Sequence, residues 1–247
     1  MLYIVGLGLN VEGISQEGLK ILKKCKKVYL ENYTVEFPYS GGELKEKLNL
    51  KKVLLADREF VESLKIVDEA KKLDVVLLVY GSPLFATTHI SLIDEAKKSG
   101  IKYKIIYNSS VFDALGETGL QLYKFGKITS MPTWDSEKNF APDSFMDIVK
   151  ENKSIQAHSL ILVDIGLDIN DCIESLKSAS KKYEIKLEKI IICERLGTKD
   201  SKIRYLKLEE IERIIKAEDS DNEILKPYCI IIPGKLHFLE KEYLNNF

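Results

Sequence analysis

Short apolar runs alternate with amphipathic stretches through the first half of the chain. Residues 2–5, 27–31, 52–54, 75–80 and 103–106 are rich in valine, isoleucine and leucine and bounded by polar punctuation, the pattern of buried strands. Residues 15–23, 41–48, 60–72 and 87–98 carry apolar positions at helical spacing. Ser15 is placed to start the first of these helices, and Gly100, after Lys97 and Lys98, to end the last. Alternation of strand and helix with short links demands right-handed crossovers and a largely parallel sheet.

The second half reads differently. A polar turn at Asn108-Ser109-Ser110 leads into residues 111–122, and strand-like runs follow at 159–165, 190–194, 202–206 and 228–232. Residues 195–201 are too few to hold a crossover helix, so the strands on either side of them pair antiparallel. The expected fold is therefore two α/β domains, residues 1–110 with a largely parallel sheet and residues 111–247 with a mixed one.

Composition narrows the function classes. Lys+Arg number 37 against 38 Asp+Glu in 247 residues, so no overall electrostatic footprint for nucleic acid exists. The lysine-rich run Lys23-Lys24-Cys25-Lys26-Lys27 reads as a solvated helix end. No apolar run approaches the length of a membrane span, and the first residues form a strand rather than a leader. Cys25, Cys172, Cys193 and Cys229 form no CxxC pair, which fits a reducing, cytoplasmic compartment and neither a zinc site nor a redox motif.

Two loops carry the candidate chemistry. Gly6-Leu7-Gly8-Leu9 follows the first strand, where paired glycines let the backbone turn tightly and approach a ligand. Tyr80-Gly81-Ser82-Pro83-Leu84-Phe85-Ala86-Thr87-Thr88-His89 follows the fourth, at the carboxyl end of a strand, where open α/β sheets bind ligands. A nicotinamide fingerprint would need glycine where Val11 stands, although Glu31 lies where a ribose-binding acid would fall. His89, His158 and His237 lie in separate segments without metal-ligand spacing, and no GxSxG, HExxH or Walker A pattern is present. A site of glycine, hydroxyl and backbone groups suits a ligand that brings its own reactive group, such as a methyl donor. Thr87 and Thr88 are read both as helix caps and as site residues, Lys124 and Lys127 as a contact for an acidic partner or a solvated turn, and Trp134 as a surface contact.

Four blocks, in order along nearly the whole chain, carry a resemblance: Gly6-Leu7-Gly8-Leu9, Gly81-Ser82-Pro83-Leu84-Phe85-Ala86-Thr87-Thr88-His89, the stretch from Gly119 to Tyr123-Lys124-Phe125-Gly126-Lys127, and Pro233-Gly234-Lys235-Leu236-His237. Together they resemble the diphthine synthases, within the tetrapyrrole-methylase fold family. The resemblance implies a homodimeric methyltransferase that holds S-adenosylmethionine in a cleft between two α/β domains. Its substrate would be the amine of the aminocarboxypropyl-modified histidine of elongation factor 2. The family's cofactor positions fall here on Leu9, Ser82, Phe85, Ser110, Val111, Val163, Leu196 and Tyr228, and no metal is implied. This chain departs from the family pattern where Ser82 replaces the aspartate of a Gly-Asp-Pro turn, where Ser109 replaces proline, and where Tyr228 stands at a position commonly histidine. Thr87, Thr88 and His89 are candidates for orienting the acceptor amine, with His89 the candidate base at an ordinary imidazole pKa. Other readings are a tetrapyrrole-family enzyme acting on a corrin precursor, a nicotinamide-binding protein and a non-catalytic binder.

Overall fold

The computed structural model describes residues 1–50, 52–133, 142–217 and 222–247. These fall into two compact units, Met1–Ala114 and Leu115–Phe247, dividing just beyond residue 110. The first unit runs β1 (Leu2–Gly6), α1 (Gln16–Leu22), β2 (Lys27–Glu31), α2 (Gly41–Lys47), β3 (Leu54–Ala56), α3 (Arg58–Glu62), α4 (Lys65–Ala70), β4 (Val75–Val79), α5 (Ile90–Lys98), β5 (Tyr103–Ile106) and α6 (Val111–Ala114). Its five strands lie in the order β3-β2-β4-β1-β5, every pair parallel.

The strand β4 shows why the sheet forms. All five of its residues are buried, and their alternation divides two cores. Val75, Leu77 and Val79 face a cluster with Val61, Ile66, Leu92 and Ala96, while Val76 and Leu78 face Leu22, Leu30 and Leu44. Helices thus cover both faces, which is why the run is uncharged throughout. Truncating Leu77 to alanine would cost about 2–5 kcal/mol through the cavity left behind.

Three elements differ from the sequence expectation. The third strand lies at Leu54–Ala56 rather than 52–54, running up to Asp57, whose carboxylate accepts the Phe60 N–H at 2.8 Å and caps α3. The single helix expected at 60–72 is two, broken where Leu64 takes a left-handed φ of 60°. The helical period survives the break because Val61, Ile66, Val67 and Ala70 all bury into one cluster. The helix expected from residue 87 begins at Ile90. Ser15, by contrast, caps α1 through the Gly18 N–H, and Gly100 follows α5 at φ 66°.

The second unit opens with short 3₁₀ turns at Leu115–Thr118 and Leu122–Lys124. It continues with β6 (Thr129–Met131), α7 (Phe145–Ser154), β7 (Ser159–Val163), α8 (Ile169–Lys182), β8 (Ile190–Glu194), β9 (Lys202–Leu206), α9 (Leu208–Lys216), β10 (Tyr228–Ile232) and α10 (Phe238–Leu244). The sheet order is β6-β7-β10-β8-β9. Only β6–β7 is parallel, and β8 and β9 form the expected antiparallel pair. Among the described residues, no helix is long and apolar enough to cross a membrane.

Candidate functional site

In the first unit, the loops after three neighbouring strands, β4, β1 and β5, are tied into one surface. Gly8 and Gly81 exchange two backbone hydrogen bonds of 3.0 Å, an antiparallel bridge just past the ends of the parallel strands β1 and β4. Both glycines have positive φ, 75° and 67°, which a side-chain-bearing residue adopts only under strain. Gly6 is needed for a different reason: a Cβ there would lie 2.6 Å from the Gly81 carbonyl oxygen. Asn108 links the third loop. Its Nδ2 donates to the carbonyls of Gly6 (3.0 Å) and Gly13 (2.9 Å), and its Oδ1 accepts the Ser109 N–H at 2.8 Å. Sequence reading passed over Asn108 as part of a polar turn.

These ties bring together Leu9, Ser82, Ser110 and Val111, with Phe85 beside them. Leu9 is 7% exposed, and its carbonyl accepts the Tyr80 hydroxyl at 3.0 Å. Ser82 and Ser110 are buried, and Ser82 Oγ accepts the Asn108 N–H at 3.4 Å. The Asp113 carboxylate accepts from both the Ser110 N–H (2.7 Å) and its hydroxyl (3.1 Å), fixing the entry to α6. Phe85 is 48% exposed, with its ring centroid 5.3 Å from that of Phe112.

His89 is not an exposed loop base. It is fully buried at the start of α5, and burial pushes its pKa down to about 4, correcting the ordinary value expected from sequence. Its Nε2 lies 3.3 Å from the Tyr33 hydroxyl, and Nδ1 has no hydrogen-bond partner among the described residues. Tyr33 is set by Glu31, which is wholly buried. The Glu31 carboxylate accepts the N–H groups of Tyr33 (2.9 Å) and Thr34 (2.7 Å) and the Thr34 hydroxyl (2.8 Å). Both carboxylate oxygens serve this turn, which removes Glu31 as a ribose ligand. Neither Thr87 nor Thr88 caps α5 through its side chain: His89 holds the N-cap position, with no side-chain cap bond. Thr87 Oγ1 accepts the His89 N–H at 3.4 Å.

In the second unit, strand register gathers the remaining three expected residues at one sheet end. Val163 ends β7, Leu196 follows β8, and Tyr228 begins β10 between them. The pairings Cys229–Leu162 and Tyr228–Glu194 make them neighbours. Leu196 and Tyr228 are buried; the Tyr228 hydroxyl donates to the Leu167 carbonyl at 3.2 Å, and burial raises its pKa.

The other two sequence blocks build the fold of the second unit. Glu240, on α10, accepts from the backbone of Gln121 (3.0 Å) and His237 (2.6 Å), from Lys124, and from His158 Nε2 at 3.3 Å. His158 Nδ1 accepts the Gly234 N–H at 2.9 Å, so the proton sits on Nε2. Burial pushes the Glu240 carboxyl up, but the Lys124 ammonium, the two backbone N–H groups and His158 outweigh it and hold the pKa at about 2. Of the two lysines read as a partner contact or a solvated turn, Lys124 is paired with Glu240, and Lys127 forms an exposed pair with Glu151. Trp134, expected at a surface contact, lies outside the described residues.

Chemically, the first unit offers backbone groups, two buried serines and an exposed aromatic ring. No three His, Cys, Asp or Glu side chains cluster to hold a metal among the described residues. A profile of the tetrapyrrole (corrin/porphyrin) methylases matches residues 1–212. The chain is 36% identical to a diphthine synthase of Methanocaldococcus jannaschii, across 99% of this chain and 97% of that protein. It is 35% identical to a diphthine methyl ester synthase of Saccharomyces cerevisiae, across 100% and 89%. A crystal structure of diphthine synthase superposes with a TM-score of 0.85 at 31% identity, covering 100% of this chain and 95% of the other. The chain therefore belongs to the tetrapyrrole methylase family.

Proposed function

We propose that this protein transfers methyl groups from S-adenosylmethionine to the amine of an aminocarboxypropyl-modified histidine on elongation factor 2, the reaction of a diphthine synthase. The observation that carries the reading is the likeness over the whole chain to relatives of that name, 36% identical across 99% of its length. The geometry of the first unit supports it. Three loops converge at strand carboxyl ends, with left-handed glycines at 8 and 81 keeping the backbone bare of side chains.

The donor supplies a methyl on a positively charged sulfur, open to in-line displacement by an amine lone pair. The chain's task is to bind, align and keep out water. We assign the adenosine to the Gly6–Leu9 turn with Ser110 and Val111, and further donor contacts to Ser82 and Phe85. In the second unit, Val163, Leu196 and Tyr228 are the positions the family resemblance gives to the donor. Two copies of the chain, working in the cytoplasm, complete the proposal.

The acceptor must arrive as the free amine. With an α-amino pKa near 8, most of it is protonated at neutral pH. His89, at about 4, lies about four pH units too low to take that proton efficiently. It serves instead to seat the loop that precedes it, and the ammonium sheds its proton to water. Transfer then accelerates as pH rises toward 8.

The named relatives differ in product, one being a methyl ester synthase, so a carboxylate is the alternative acceptor. Mass spectrometry of modified elongation factor 2, incubated with the protein and donor, tests both readings. Methyl increments stable to mild alkali are expected, and alkali-labile increments would mark an ester. No increment, or equal increments on a factor lacking the aminocarboxypropyl group, would sink the proposal.

A further inference from the structure

Phe85 sits where a large apolar ring is costly to keep. It is 48% exposed, and the residues on either side of it, Leu84 and Ala86, are both left-handed, with φ of 70° and 50°. Left-handed backbone at a residue with a side chain is strained, and it persists where the surroundings impose it. Two such residues flanking one exposed aromatic hold that ring out of the core. Behind it, Phe112 is half-buried on α6, its ring 5.3 Å away and tilted by 39°. The pair bridges the loop after β4 to the segment that begins at Ser110.

A sulfonium is a cation, and Ser82 brings only a neutral hydroxyl to the turn. The Asp113 carboxylate accepts two hydrogen bonds from Ser110 through one oxygen, which ties it to the entry of α6. Aromatic faces carry negative potential and attract cations, gaining most when the cation is partly removed from water. On the reading that this protein binds S-adenosylmethionine, we propose that Phe85 and Phe112 form an aromatic pair that recognises the sulfonium charge. The pair favours the charged donor over its neutral thioether product and so assists product release. Phe112 enters as a new binding residue.

The experiment is titration calorimetry of the full chain with S-adenosylmethionine and with S-adenosylhomocysteine. The variants are Phe85→Leu, Phe112→Leu and Phe85→Tyr, each checked by thermal unfolding. The leucine variants keep apolar bulk but remove the π-face. They should weaken the donor about five- to tenfold and the product less than twofold, while tyrosine retains the wild-type preference. Equal weakening of both ligands would reduce the pair to simple apolar packing and overturn the proposal. No change in either ligand would overturn it as well. Binding of neither ligand by the unaltered protein would be a separate failure, that of the methyltransferase reading itself.

Discussion

Asn108→Ala is the sharpest probe of the loop surface, because one amide ties the loop after β5 to the end of β1 and to the chain beyond it. The orientation of that amide is forced: Nδ2 faces two carbonyl oxygens, and Oδ1 faces an N–H. A flipped amide would set oxygen against oxygen twice. Alanine removes three bonds, of 3.0 Å to Gly6, 2.9 Å to Gly13 and 2.8 Å from the exposed Ser109 N–H, and leaves the buried Gly6 carbonyl short of a donor. Each lost bond is worth about 0.5–1.5 kcal/mol net, and an orphaned buried acceptor costs about 1–3 kcal/mol. Water reaching the half-exposed Gly13 side recovers part of that, which gives an expected loss of about 2–4 kcal/mol.

Affinity should fall too, because the Gly6–Leu9 turn and the start of α6 lose their common anchor. Asn108→Asp provides the internal control. It is nearly isosteric and keeps the Ser109 contact, yet it turns a carboxylate oxygen toward two carbonyls, so it should destabilise at least as much as alanine. Urea unfolding gives the stability change, and calorimetry with S-adenosylhomocysteine gives the affinity, expected to drop about tenfold. A stability change within about 0.5 kcal/mol together with unaltered affinity would refute the role given to Asn108. An aspartate variant more stable than the alanine one would do the same.

Three further outcomes are expected. Ser82→Asp, which supplies a carboxylate at the turn, should tighten S-adenosylmethionine more than its neutral product in calorimetry; weaker or unchanged donor binding would mean the serine belongs to a different arrangement. His89→Ala should slow single-turnover transfer by a factor that stays constant from pH 6 to 9, since His89 is neutral across that range; a pH-dependent defect would restore it as a base, and full activity would make it purely structural. Glu240 has a folded pKa of about 2 against an ordinary 4.5, so the stability it contributes is present above pH 4.5 and is lost as pH falls toward 2. Urea unfolding of Glu240→Gln should show a loss of about 3 kcal/mol at pH 7 that shrinks as pH drops through that window, and an undiminished loss at pH 2 would contradict the assignment.

What the sequence disclosed follows from how far apart the cooperating residues lie along the chain. The strand β4 was legible because burial on both faces is recorded in five consecutive residues. The glycine turns were legible because Gly6-Leu7-Gly8-Leu9 and Gly81-Ser82-Pro83 are each contiguous, and Gly8 and Gly81 answer to local turns with positive φ. The break at Leu64 was hidden because the helices on either side of it bury into one cluster, so hydrophobic periodicity runs through the break unaltered. His89 was read as a loop base at an ordinary pKa because nothing local shows that Tyr33, 56 residues earlier, meets its ring edge-on.

Asn108 is the limiting case. It is one polar residue in a polar turn, and its two carbonyl partners lie 102 and 95 residues away, so no window of sequence contains the bonds that give it meaning. Val163, Leu196 and Tyr228 stand between these extremes. Each lies in or just after a strand-like run that pattern alone finds, but only the antiparallel register of β10 against β7 and β8 makes them neighbours. The glycine turns are thus written locally in this chain, and the tethers that join them are written in pairs. A search for further determinants of this site should therefore start from single polar residues at strand ends rather than from motifs.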